Sequence, residues 1–379
     1  MPDLTPDIGA FVSIEKNELQ CIFDALKKDG YTLAGPTVSN NASTPGEGAI
    51  VYDEIETVED LPIGWTDVQG PGSYQLQRRN DNAYFGYVVG PQSWKKFLFP
   101  PQATLMTVRR ENGSFVVESQ AEDAPRYALI GVRGCELHAL LIQDHVFLNG
   151  PYIDTHYKAR REQTFVLAVN CTEPGGTCFC TSMGTGPKVG PGFDLALTEL
   201  DDIFIVEIGS EVGRMVMRSV KWRPSGAFEL QTKRTALAEA TKSMGRTLET
   251  SDLPNLLYQN LDHPFWREVG ERCLSCANCT MVCPTCFCSD ILEVSELGGA
   301  ASERVRVWDS CFSMNYSHVH GGNIRPRTKS RYRQWLTHKF ASWIDQFGES
   351  GCVGCGRCIT WCPVGIDVTE SIDAIREEV

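Results

Sequence analysis

The 379-residue sequence contains no apolar run approaching the ~18 residues that a membrane-spanning helix requires, so no membrane span is expected. Its first residues, Met1-Pro-Asp-Leu-Thr-Pro-Asp7, offer neither a basic n-region nor an apolar h-region, and a cytoplasmic chain is expected. The arginine pairs Arg109-Arg110 and Arg160-Arg161 lie too far along the chain to act as a twin-arginine export signal. Positive charge is scarce: 35 Lys and Arg face 48 Asp and Glu, for a formal charge of −13. A nucleic-acid surface needs clustered positive charge, so DNA or RNA is not expected as a partner. No G-x-G-x-x-G follows a candidate strand and no Walker A sequence is present. Gly70-Pro-Gly72 and Gly190-Pro-Gly192 carry proline where a phosphate cradle would open a helix, and read as turns. No catalytic triad is evident, and no catalytic residue is assigned.

What the chain does have is cysteine, 16 in all, too many for a cytosolic chain without metals. Cys273-Leu-Ser-Cys276-Ala-Asn-Cys279-Thr-Met-Val-Cys283-Pro284 recurs as Cys352-Val-Gly-Cys355-Gly-Arg-Cys358-Ile-Thr-Trp-Cys362-Pro363. Both read C-x2-C-x2-C-x3-C-P, the spacing with which a chain wraps a [4Fe–4S] cubane. Three thiolates two residues apart grip three corners of one cube, and the fourth typically reaches the other cluster. Zinc sites also use C-x2-C hooks, but pair two of them at a distance and have no use for the third cysteine and the Cys-Pro step. The expected ligand sets are therefore crossed: Cys273, Cys276, Cys279 and Cys362 on one cluster, Cys352, Cys355, Cys358 and Cys283 on the other.

Length suggests two or three domains, and 42% apolar with 22% charged residues is ordinary for a globular protein. Helical spacing is read from Ile14 to Lys28, and strands at Ala49–Asp53, Tyr74–Gln77 and Ala83–Val89. The middle holds a βαβ unit: a strand at Tyr127–Val132, a helix opened by Gly134-Cys135 with Leu137, Leu140, Leu141, Phe147 and Leu148 on one side, and a strand at Phe165–Val169. A crossover of this length favours parallel pairing in an α/β domain. Another strand is expected at Ile203–Ile208, and helices over Ala227–Met244 and Leu253–Glu271. The fold class is thus an N-terminal mixed α/β domain over residues 1–250, followed by a C-terminal α-helical ferredoxin-like dicluster domain over 251–379.

Sixty-eight residues separate Cys283 from Cys352, longer than in a compact ferredoxin. A polar helix is expected near Asp290–Leu297. A basic amphipathic helix is expected over Arg325–Phe340, with Tyr332, Trp335, Leu336 and Phe340 opposed by Lys329, Arg333 and Lys339. A final helix, Thr369–Glu378, would turn Ile372 and Ile375 inward.

Eight cysteines remain. Cys135 follows one strand of the βαβ unit and Cys171 follows its parallel neighbour, so both sit at the carboxyl edge of the sheet, where α/β proteins hold ligands. With Cys178 and Cys180 they make four thiols, enough for a third [4Fe–4S] cluster or a zinc ion; the bland alternative is that they fill space. Cys286, Cys288 and Cys311 offer three thiols. Cys21 reads as core, and His138 and His145 as structural histidines.

The chain resembles the iron–sulfur beta subunit of cytoplasmic NAD(P)-linked nickel–iron hydrogenases of the sulfhydrogenase type, a family that includes the A subunit of anaerobic sulfite reductase. The resemblance rests on Ser93-Trp-Lys-Lys-Phe-Leu-Phe-Pro-Pro101, Gly131-Val-Arg-Gly-Cys-Glu-Leu-His-Ala139, Asn170-Cys171, Cys178-Phe-Cys-Thr-Ser-Met-Gly-Thr-Gly-Pro187, Cys283-Pro-Thr-Cys-Phe-Cys288 and Trp308-Asp-Ser-Cys311. It implies electron transfer between a hydrogenase small subunit and a flavin subunit that meets NAD(P). Its alternatives are the electron-input subunit of an anaerobic sulfite reductase, or a subunit carrying its own flavin.

Overall fold

The computed structural model describes residues 5–39, 48–119, 124–299 and 301–377. Its strands, in chain order, are β1 (Phe11–Glu15), β2 (Thr32–Val38), β3 (Ile50–Glu54), β4 (Trp65–Gly70), β5 (Ser73–Arg78), β6 (Gln102–Glu111) and β7 (Ser114–Ser119). There follow β8 (Tyr127–Val132), β9 (Phe165–Val169), β10 (Leu195–Glu199), β11 (Ile203–Ile208), β12 (Arg223–Pro224), β13 (Ser289–Ser295) and β14 (Ala301–Trp308). Eight of them form one sheet in the order β12-β1-β11-β10-β9-β8-β2-β3. Its centre is parallel, with β2 beside β8, β8 beside β9 and β9 beside β10. Antiparallel strands close both flanks.

The central strands are continuous apolar runs because both of their faces are covered. Every residue of β9 is buried, and full burial of each valine, leucine or phenylalanine there contributes roughly 1.5–3 kcal/mol. The helix Gly134–Leu148 crosses from β8 towards β9 and is apolar on two sides. Leu137, Leu140 and Phe147 pack on the sheet, while Ala139 and Ile142 pack against Trp343 and Val353 from the end of the chain. Gln143, fully buried, donates to the Pro284 carbonyl at 2.9 Å. One helix therefore serves as floor to the sheet and wall to the cysteine-rich region.

Four local expectations change. The helix read from Ile14 begins at Leu19, and Ile14 belongs to β1. Ala83–Val89 is not a strand: its N–H groups are taken by carboxylates, Glu199 accepting from Tyr84 and Phe85 at 2.7 and 2.8 Å and Asp67 from Val88 at 2.5 Å. Leu253–Glu271 divides into Leu253–Gln259 and Phe265–Arg272; Pro264, which lacks an N–H and disfavours helix in the residue before it, stands at the break. Asp290–Leu297 is strand, not helix: β13 pairs with β14 over seven residues, and β14 pairs in turn with β6. The second sheet, β13-β14-β6-β7, is thus built from two distant parts of the chain.

Candidate iron–sulfur centres

The helix Phe265–Arg272 delivers Cys273 to a loop that curls through left-handed backbone at Ser275 and Ala277, with φ of 52° and 68°. The second motif makes the same turn with glycine, Gly354 and Gly356, at φ of 65° and 74°. Glycine is required there twice over. A Cβ on Gly354 would lie 2.7 Å from the Cys180 backbone, and one on Gly356 would lie 2.4 Å from the Thr177 carbonyl oxygen. The second motif is pressed against the loop that carries Cys178 and Cys180.

Three cavities collect twelve thiols. Cys273, Cys276, Cys279 and Cys362 line the first, beneath Phe312, Tyr332 and Trp335. Cys352, Cys355, Cys358 and Cys283 line the second, with Phe179, Lys339 and Phe340. The geometry brings together the crossed sets expected from spacing. Cys135, Cys171, Cys178 and Cys180 line a third cavity, where Cys355 and Arg357 also stand. Trp335 and Cys358 border both the first and the second, so the three lie in a row.

Among the described residues, no three Cys, His, Asp or Glu side chains stand close enough to hold a single ion. Zinc draws its thiolates to ~2.3 Å and therefore close to one another; a cubane spreads four thiolates over the corners of a cube. The donor sets suit a [4Fe–4S] cluster, which when bound supplies one-electron redox chemistry. Backbone N–H groups already point at sulfurs of the two motifs: Ser275 to Cys273 at 3.5 Å, Gly354 to Cys352 at 3.4 Å and Ile366 to Cys362 at 3.3 Å. Hydrogen bonds of this kind stabilise negative charge on a cluster and help set its potential.

Burial pushes the thiols of Cys135, Cys178, Cys279 and Cys358 well up, and those of Cys180 and Cys352 to about 12. They keep their protons until a metal displaces them, so loading releases protons.

Buried cations serve these cavities, among them Lys339 and Arg357. Lys339, read on the basic face of its helix, is buried; its Nζ donates to Thr285 Oγ1 at 2.9 Å and to the Gly351 carbonyl at 3.1 Å. Desolvation alone would pull it down, yet the Cys283, Cys286 and Cys352 sulfurs hold it well above its ordinary value. Arg357, inside the second motif, pairs with Glu136 at 2.6 Å and donates to the Gly90 carbonyl at 3.2 Å. A charged residue within a cluster-wrapping loop was the one available signal.

The rest of the cysteines divide. Cys21 packs against the main core. Cys286, Cys288 and Cys311 line a separate cavity of about 300 Å³. His138 and His145 both engage Glu349, at 3.0 and 2.8 Å, as structural histidines do. The expected final helix is present over Val368–Glu377, with Ile372 and Ile375 buried; residues 378–379 lie outside the described region. No helix among the described residues is long and apolar enough to cross a membrane.

Comparison with known proteins agrees with the site. Residues 272–366 match the family described as a 4Fe-4S dicluster domain. Sulfhydrogenase 2 subunit beta of Pyrococcus furiosus is 30% identical over 374 residues, an alignment covering 97% of this chain and 98% of that one.

Proposed function

Since this chain belongs to the family of sulfhydrogenase beta subunits, we propose that it is the iron–sulfur electron-transfer subunit of a hydrogenase complex. In this reading it relays electrons between a nickel–iron hydrogenase module and a flavin subunit that reduces NAD(P). The observation that carries the reading is the row of three thiol-lined cavities, each with at least four cysteines and each sharing a cysteine with the next. Cys273, Cys276, Cys279 and Cys362 would hold one [4Fe–4S] cluster, and Cys352, Cys355, Cys358 and Cys283 a second. Cys135, Cys171, Cys178 and Cys180 would hold a third.

The protein's own residues keep such a relay dry and charge-balanced. Phe179, Phe340 and Trp335 exclude water between cavities, and Lys339 and Arg357 offset the negative charge of reduced clusters. Cys276 is exposed, which makes the first cavity the natural exit to a partner subunit. The architecture proposed with this function is an α/β domain over 1–250 and an α-helical ferredoxin-like domain over 251–379. The β13–β14 hairpin of the second reaches back to pair with β6 of the first. A cytoplasmic location follows from the same reading.

The test is anaerobic purification of the complex, followed by hydrogen exposure and electron paramagnetic resonance. A nickel-containing subunit should copurify, and hydrogen should produce signals of reduced clusters assigned to this chain. Clusters that stay oxidised under hydrogen, or a sirohaem partner in place of nickel, would overturn the proposal.

A further inference from the structure

Cys286, Cys288 and Cys311 line one cavity, which shares Trp335 and Lys339 with the second cluster cavity. There the Cys288 and Cys311 sulfurs lie near enough to shift each other's ionisation, as do those of Cys283 and Cys286. A disulfide closes to about 2.05 Å between sulfurs, so only thiols that already meet can form one without backbone movement. The hairpin arranges this meeting. Cys288 immediately precedes β13 and Cys311 follows β14 by three residues, while the Asp309 N–H donates to the Cys288 carbonyl at 2.9 Å.

The surroundings distinguish this pair from filler. It opens onto the cavity of about 300 Å³, whose wall also carries Tyr316, Arg325, His338 and Lys339. The Cys311 hydrogen bond, with help from Tyr316 and the charge of Lys339, brings the Cys288 thiol to about 6. The same contact, with burial, raises Cys311. The two thiols are thus pushed in opposite directions, the asymmetry that thiol–disulfide chemistry uses. Two residues before Cys288, Cys286 touches Cys283, which lines the second cavity.

We propose that Cys288 and Cys311 form a reversible, redox-active disulfide that exchanges electrons singly with the cluster ligated in part by Cys283. This rests on the electron-transfer reading above. Oxidation of the thiolate–thiol pair releases one electron and the Cys311 proton, leaving a disulfide radical anion. Loss of a second electron completes the Cys288–Cys311 sulfur–sulfur bond. Both electrons pass one after the other to the adjacent oxidised cluster, which is emptied onward between them, and the proton passes to water in the cavity. Reduction reverses each step. The chain thereby joins one-electron carriers to a two-electron store.

The holoprotein should be poised anaerobically at a series of potentials, quenched in acid with N-ethylmaleimide, and mapped by mass spectrometry. A Cys288–Cys311 linked peptide should replace the two alkylated cysteines with a two-electron slope. The Cys311→Ser variant should lose that transition while keeping its cluster resonance signals and iron content. A missing disulfide at every potential in cluster-replete wild-type protein would overturn the proposal. So would the loss of about four iron atoms in Cys288→Ser or Cys311→Ser, which would make these residues cluster ligands instead. The wild-type titration decides even if the variants do not fold. Absent cluster signals in the same samples would overturn the electron-transfer reading first, and the exchange claimed here with it.

Discussion

Arg357 and Glu136 meet as an ion pair sealed from solvent, Nη2 to Oε1 at 2.6 Å, with 4% and 1% of their side chains exposed. The other carboxylate oxygen accepts from the Tyr52 hydroxyl at 2.5 Å. Arg357 belongs to the second cluster motif and Glu136 follows Cys135, so the pair clamps the second cavity to the third. Glu136→Ala would leave the guanidinium buried without its counter-charge, at a cost of about 3–5 kcal/mol. Thermal or urea unfolding of the holoprotein should show that loss. Removing both charges, with Arg357→Met added, should recover a large part of it.

In the proposed crossed ligation, the two fourth cysteines report on distant clusters. Cys283→Ser should deplete the cluster of Cys352, Cys355 and Cys358, and Cys362→Ser the cluster of Cys273, Cys276 and Cys279. Electron paramagnetic resonance with iron counting reads the difference. Depletion of the nearer cluster in either variant would refute the crossed arrangement.

The third cavity makes a separate prediction. Cys178→Ser or Cys180→Ser should lower iron by about four atoms per chain, the content of one [4Fe–4S] cluster. The resonance signals of the two C-terminal clusters should persist. An unchanged iron count would mean that these buried thiols are packing.

Lys339 stands beside Cys283 and Cys352, where its charge favours the reduced, more negative state of a cluster. Lys339→Met should therefore lower the potential of the second cluster, by on the order of 60 mV if the effect is one tenfold step for a one-electron couple. Redox titration monitored by resonance spectroscopy checks both sign and site, because the first cluster should move less.

His338 is pulled down to about 4, first by burial and then by the charge of Lys339. Its unfolded value is about 6.5, so between those limits the unfolded chain binds the extra proton. The stability of the neutral ring is present above pH 6.5 and is lost as pH falls towards 4. Unfolding measured between pH 5 and 7 should show this slope, and His338→Gln should flatten it by about 1–3 kcal/mol at most.

Local chemistry was readable wherever it acts over short sequence distances. Cysteine spacing announced two cluster loops, the apolar runs at Tyr127–Val132 and Phe165–Val169 announced buried parallel strands, and Gly134-Cys135 marked the helix between them. The basic helix was legible in its buried face, Tyr332, Trp335 and Leu336. Its basic face is not simply outward: helical periodicity describes one helix against one core, and here a second element, the loop before Cys352, covers Lys339 on the other side.

Sequence by itself determined which residues are the candidates to bind metal, since the C-x2-C-x2-C-x3-C-P spacing fixes how thiols present themselves along a few residues of backbone. Only the tertiary structure decided which thiols share a cavity and which touch. Cys135 shares a cavity with Cys180 because the β8–β9 crossover returns there, and the β13–β14 hairpin that brings Cys288 towards Cys311 is anchored because β14 pairs with β6, some 200 positions earlier. Pairings of that range are set by the burial and backbone hydrogen bonding of the whole sheet, which no local pattern encodes.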